Sequence, residues 1–124
     1  MKTQVRSYKD LLVWQKAMDL VVLSYELGRQ LPDSERYGLA TQIRRAAVSI
    51  PANIAEGHGR KHLGDKLHHL SVANGSLKEL ETHLLIAERL AFLKSAIIQP
   101  ALKLAEELGR MLSVLTQKLE AKKQ

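Results

Sequence analysis

Cysteine is absent from the chain, which excludes disulfides, thiolate catalysis and sulfur-ligated metal centres. Aromatic residues make up only 4% of it, a poor supply for base-stacking platforms or for a β-sandwich core. No apolar run exceeds a few residues, so no segment is expected to span a membrane. The opening Met-Lys-Thr-Gln-Val-Arg-Ser starts basic, but the apolar stretch of a signal peptide does not follow. A soluble, cytoplasmic protein is the resulting expectation.

What is present is Leu, Ala, Ile and Val in a length of 124 residues. That length suits one domain with one core, and the mixture suits closely packed helices. The 19 Lys and Arg outnumber the 13 Asp and Glu, for a formal charge of +6. Such an excess raises the case for an anionic partner without requiring one.

Periodicity divides the chain into a basic N-terminal arm (1–9), a four-helix region (10–121) and a basic tail (122–124). Asp10 is the expected N-cap of helix one, about 10–31. Its apolar residues fall on two stripes. Leu11, Trp14, Met18, Val21 and Tyr25 form one; Val13, Ala17, Leu20, Leu27 and Leu31 form the other, interrupted by Ser24. One stripe is enough for a lone bundle, so the pair implies either deep burial or a second partner surface. Trp14, Met18 and Tyr25 are the candidate oligomer contacts. Helix one ends at Leu31-Pro32, because the residue before proline is steered out of helical geometry.

Asp33 or Ser34 is the expected cap of helix two, which begins near Glu35. Ile43, Ala47, Ile50 and Ile54 make its seam. Pro51 lies inside the seam, but the apolar phase continues past it, so one kinked helix is preferred to two short ones. Ser49 and Asn53 stand near enough to help satisfy the backbone that Pro51 frees. Helix three, about 62–92, repeats leucine every seven residues at Leu63, Leu70, Leu77 and Leu84, the pattern of antiparallel bundle packing. Gly75 within it is read as a point of close backbone approach. Helix four, about 96–121, carries rows through Ala101, Leu108 and Leu115 and through Ala105, Leu112 and Leu119. Pro100 is read as suiting the first helical position. The expected fold is therefore all-α, an antiparallel up-down-up-down four-helix bundle with its second helix kinked at Pro51.

Candidate chemistry is sparse. His58, His62, His68 and His69 cluster without a complete metal-ligand pattern, so no metal or cofactor is assigned. Glu56, Glu79, Glu81 and Glu88 lack a nucleophile or phosphate-binding loop to work with, and no enzyme is expected. Asn53, Glu56 and Glu81 are better read as a structural polar network between helices two and three, as is Asn74, since half-buried polar groups must be paired. Arg44 and Arg45 diverge by about 100° on a helix, so one can be structural and the other exposed. With Arg60, Lys61 and Lys66 they form the candidate nucleic-acid contacts, to phosphates and hence salt-sensitive.

Several motifs then converge. Asp10-Leu-Leu-Val-Trp-Gln-Lys-Ala, Tyr37-Gly-Leu, the run from Gln42 to Gly57 (QIRRAAVSIPANIAEG) and Gly75-Ser-Leu-Lys-Glu-Leu-Glu-Thr resemble the four-helix-bundle family named for 23S rRNA intervening sequences. The resemblance covers about residues 7–93, with helix four similar in pattern only. It implies a homopentameric barrel, and kinship with the accessory protein of diversity-generating retroelements, a basic pentamer that binds nucleic acid. The chain departs from the family where His62 replaces a usual Ser or Thr cap, and where Lys66 and His69 replace aromatics. Two expectations follow: a homo-oligomer, taken as a pentamer, whose basic surface binds RNA or DNA, or an oligomeric scaffold for a protein partner.

Overall fold

Residues 5–122 are described by a computed structural model; Lys2 of the expected arm and Lys123 of the tail lie outside them. Four helices carry the fold: α1 (Leu12–Arg29), α2 (Leu39–His58), α3 (Leu63–Arg89) and α4 (Ser95–Ala121). No strand occurs among the described residues. Contacts between sequence neighbours run in opposite order, as antiparallel packing requires. Ser49 meets Ser76, Asn53 meets His69, and Gly57 meets Lys66 and His69. Along α1 and α4, Lys16 pairs with Glu107 at 2.8 Å, and Leu27 lies nearer the start of α4, beside Ile97 and Ala101.

The core is where the periodicity placed it. Ile43, Ala47, Ile50 and Ile54 of α2 are buried with Leu70, Leu77 and Leu84 of α3. From α1 come Val13, Ala17, Leu20 and Leu27, and from α4 Ala101, Ala105, Leu108 and Leu112. Only one polar residue is buried among those described, Ser24. Its hydroxyl donates to the Leu20 carbonyl at 2.7 Å, one turn back, so it interrupts the stripe at no hydrogen-bonding cost.

Helix starts differ from expectation, for local reasons. Asp10 does not cap α1. It closes a 3-10 turn over Tyr8–Asp10, its carboxylate accepting from the amides of Arg6 and Ser7 at 2.8 and 3.2 Å. The arm is thus folded from Ser7 onward. Neither Asp33 nor Ser34 caps α2, because Asp33–Glu35 form a second 3-10 turn and α2 begins four residues later. Gly38, at the cap position, has no side chain to offer; the Glu35 carboxylate accepts from the Leu39 amide instead, at 3.2 Å. His62 precedes α3 without capping it through its side chain.

The prolines and glycines also differ in part. α2 runs through Pro51 as one helix. Asn53 donates to Ser49, to the carbonyl at 2.8 Å and the hydroxyl at 3.1 Å, rather than to the Ala47 carbonyl that proline leaves without its helical amide. Pro100 lies inside α4, five residues after its start at Ser95, not at the first position. A Cβ at Gly75 would meet nothing within 4 Å, so that glycine is not a close-approach point; Gly57 is, with His69 Cβ only 2.9 Å from the position a Cβ would take. α3 ends in a Schellman motif, the amides of Phe92 and Ala91 bonding the carbonyls of Ala87 and Glu88, each at 2.9 Å. Ala91 takes the left-handed position there (φ 62°), where L-residues are held at about 1–2 kcal/mol above their preferred region.

Candidate functional site

α2 has a different neighbour on each flank, and the polar residues singled out from sequence sort themselves between the two. On the α3 flank, Ser76 donates to the Ser49 hydroxyl at 2.8 Å. One turn on, His69 Nδ1 lies 3.0 Å from Asn53 Oδ1 and 3.3 Å from a Glu56 carboxylate oxygen. Both of those partners are acceptors, since the Asn53 amide nitrogen already donates to Ser49, so Nδ1 carries the proton. Glu56 also receives Arg60 at 3.5 Å. A continuous polar seam, Ser49–Ser76 and Asn53–His69–Glu56, therefore fixes the register of α2 against α3.

Glu81 is not part of this seam. It pairs with Lys78 on its own helix at 3.2 Å. Asn74, one heptad earlier, lines a groove with Leu112 and Ser113 of α4. That row of α3 is turned toward α4, so neither residue can reach α2. His69, Ser49 and Ser76 were not identified as network members from sequence. The usable signal is the residue before each seam leucine: His62, His69, Ser76 and His83 precede Leu63, Leu70, Leu77 and Leu84, a polar row beside the apolar one. His83 continues the row, its Nε2 3.2 Å from Glu79 while its Nδ1 is buried without a partner.

On the α1 flank the surface is open, with exposed apolar side chains beside arginines. Met18, Val22 and Tyr25 of α1 are 40, 59 and 36% exposed, and Val48 of α2 is 43% exposed. Trp14 begins this strip, half-buried with its ring 5.3 Å from Tyr8 in an edge-to-face pair. Met18, Val22 and Tyr25 follow at spacings of four and three, one line along a helix.

The two arginines are treated differently by the same flank. Arg44 lies over the Tyr25 ring at 5.9 Å and donates to the Arg36 carbonyl and the Thr41 hydroxyl, both at 3.4 Å. Its guanidinium also covers Gly28, 3.4 Å from where a Cβ would stand. Arg45 is exposed, and shares a surface hollow with Tyr25 and Val48. Arg60 and Lys61 lie just past the far end of α2 and Lys66 beside its last turn, roughly 20 Å along the helix axis from Arg45 at 1.5 Å per residue. The five basic residues thus form two patches. Lys66 is partly committed, donating to the His58 carbonyl at 3.0 Å; Lys61 is exposed.

Among the described residues, no three His, Asp or Glu side chains are grouped so as to hold a metal, and no helix is long and apolar enough to cross a membrane.

Fold and surfaces together define a class: a small basic four-helix protein with one flank of α2 joined by polar contacts and the other left open, apolar side chains beside arginines. The chain belongs to the 23S rRNA-intervening sequence protein family, whose pattern matches residues 9–114. Among solved structures it is similar to a protein of unknown function of the S23 ribosomal protein family from Bacteroides thetaiotaomicron, with a TM-score of 0.79 and 22% identity. That similarity covers 85% of this chain and 98% of the other, and at this identity it establishes the shared fold. No curated protein matches the chain.

Proposed function

We propose that the chain is a non-enzymatic, cytoplasmic, homo-oligomeric bundle, a pentamer, whose basic surface binds RNA or DNA through phosphates. The observation that carries this reading is the hollow in which apolar Tyr25 and Val48 adjoin exposed Arg45. Apolar side chains aligned on one outer face are what a subunit contact needs, and a cation beside that contact would be repeated on every copy. Family resemblance supplies the number five and the choice of nucleic acid. Phosphates, rather than bases, are the expected contacts, because aromatic residues make up only 4% of the chain, too few for a stacking platform.

Light scattering tests assembly: a particle several times 13.9 kDa is expected, and a strict monomer overturns it. Titration of RNA and DNA at rising salt tests binding, which should weaken steeply and in log-linear fashion with salt. A protein-binding scaffold is the second reading. It is favoured by Arg60 and Lys66, whose engagement with Glu56 and the His58 carbonyl leaves fewer free cations. An oligomer that binds neither nucleic acid at low salt supports this scaffold.

A further inference from the structure

Where α1 and α3 begin and α2 and α4 end, the helices leave a cavity of about 250 Å³. Buried Ile54, Gly57 and Leu70 form its floor, and half-buried Leu11, Leu115 and Leu119 its walls. Among the described residues the remaining lining is His58, Lys66 and Lys122, all more exposed than the floor, and none of these carries a carboxylate. The space is apolar within and cationic at its rim. Drawing α2 and α3 together here is opposed by the tight contact at Gly57, where an added Cβ would stand 2.9 Å from His69 Cβ.

We propose that this cavity binds a small carboxylate with an unbranched apolar tail, its headgroup held by Lys66 and Lys122. Lys66 spends one of its three ammonium protons on the His58 carbonyl and keeps two for a ligand. The leucine walls give a tail somewhere to go that a bare, hydrated phosphate would not use. A volume below the roughly 300–1,000 Å³ of sites for drug-sized molecules sets the scale at a medium-chain fatty acid. Cations at the rim also disfavour an amine or basic peptide as the occupant.

The probes are butyrate, hexanoate and octanoate, with octylamine as the charge-reversed control, titrated into isotope-labelled protein and followed by amide chemical shifts. Saturable shifts centred on Leu11, Gly57, Leu70 and Leu119 are expected. Each added methylene should tighten binding about fourfold, the equivalent of about 0.8 kcal/mol. Lys66→Met combined with Lys122→Met, which removes the charges and keeps all but one atom of each side chain's length, should weaken octanoate at least about tenfold, as expected for loss of charge-assisted contacts. Leu115→Trp, which fills the cavity and leaves its charges in place, should abolish binding; retention of the native melting temperature shows that either variant is folded. A flat chain-length series, equal binding of octylamine, octanoate binding undiminished in Leu115→Trp, or no saturable shift would each overturn the proposal.

Discussion

The two flanks of α2 are built from the same helix and end in opposite states. Against α3, the donors and acceptors of Ser49, Asn53, Glu56, His69 and Ser76 answer one another, and Gly57 brings the backbones close. Against α1, Arg44 is tethered while Met18, Val22, Tyr25 and Val48 face outward. Those five polar side chains, bonded to one another, have little left to offer a partner; His83, farther along the row, keeps one buried ring nitrogen unpaired. An apolar row left in water gains by being covered. The mixture of residue types in α2 therefore marks architecture on the α3 side and recognition, as proposed, on the α1 side.

The largest expected effect breaks the open flank. Met18→Asp with Val22→Asp should convert the proposed oligomer to a 13.9 kDa particle by light scattering. Its monomer stability should change by no more than about 0.5 kcal/mol per site, as for other surface substitutions. A particle of unchanged mass would show that this strip is not the contact.

Next comes the sealed flank. Asn53→Leu removes one acceptor of the His69 proton and a donor to Ser49, while His69 keeps Glu56 and Ser49 keeps Ser76, and should cost about 0.5–1.5 kcal/mol in urea unfolding, the net worth of a hydrogen bond. A cost near zero would mean that the seam is ornamental. Two glycines then separate close approach from open space. Gly57→Ala should destabilise by about 1 kcal/mol, overpacking against His69 outweighing the helix-propensity gain. Gly75→Ala, with nothing nearby, should stabilise by about 1 kcal/mol. Equal effects at both positions would refute the distinction.

The smallest effect distinguishes the arginines. Arg44→Ala should cost about 0.5–1 kcal/mol through the lost cation–π contact, whereas Arg45→Ala should be neutral in stability. If the proposed nucleic-acid reading holds, only Arg45→Ala lowers affinity without lowering the melting temperature.

Much of this was legible in the sequence because burial is periodic. The spacing of Ile43, Ala47, Ile50 and Ile54, and of the leucines of α3, fixes which face is inward wherever the helix begins. Starts were less legible. Asp10 and Asp33 are good cap residues in composition, yet each entered a 3-10 turn instead, and Gly38 gave no signal because its cap is a glutamate three residues earlier. Cross-helix polar pairing was legible only in part: Asn53 and Glu56 do reach α3, but Glu81 and Asn74 sit on the α4 side of it. Which side a polar residue takes depends on the rotation of its helix about the seam, and a rotation of one residue position is about 100°. Histidine beside leucine at seven-residue spacing carried that information for α3, and was visible once read as a row.

One detail of the cavity has a practical side. Leu11 and Lys122 line the same space, so the beginning of α1 and the end of α4 emerge together, at the end that also carries Arg60 and Lys61. A charged group attached beside Leu11 or Lys122 would crowd that surface and add its own charge to any binding assay. The connection between α1 and α2 lies at the opposite end, about 27 Å away along α1 at 1.5 Å per residue. Ser34 there is exposed. In a chain with no natural cysteine, Ser34→Cys provides a single reactive handle for fluorophores or surface immobilisation that leaves the basic end unobstructed.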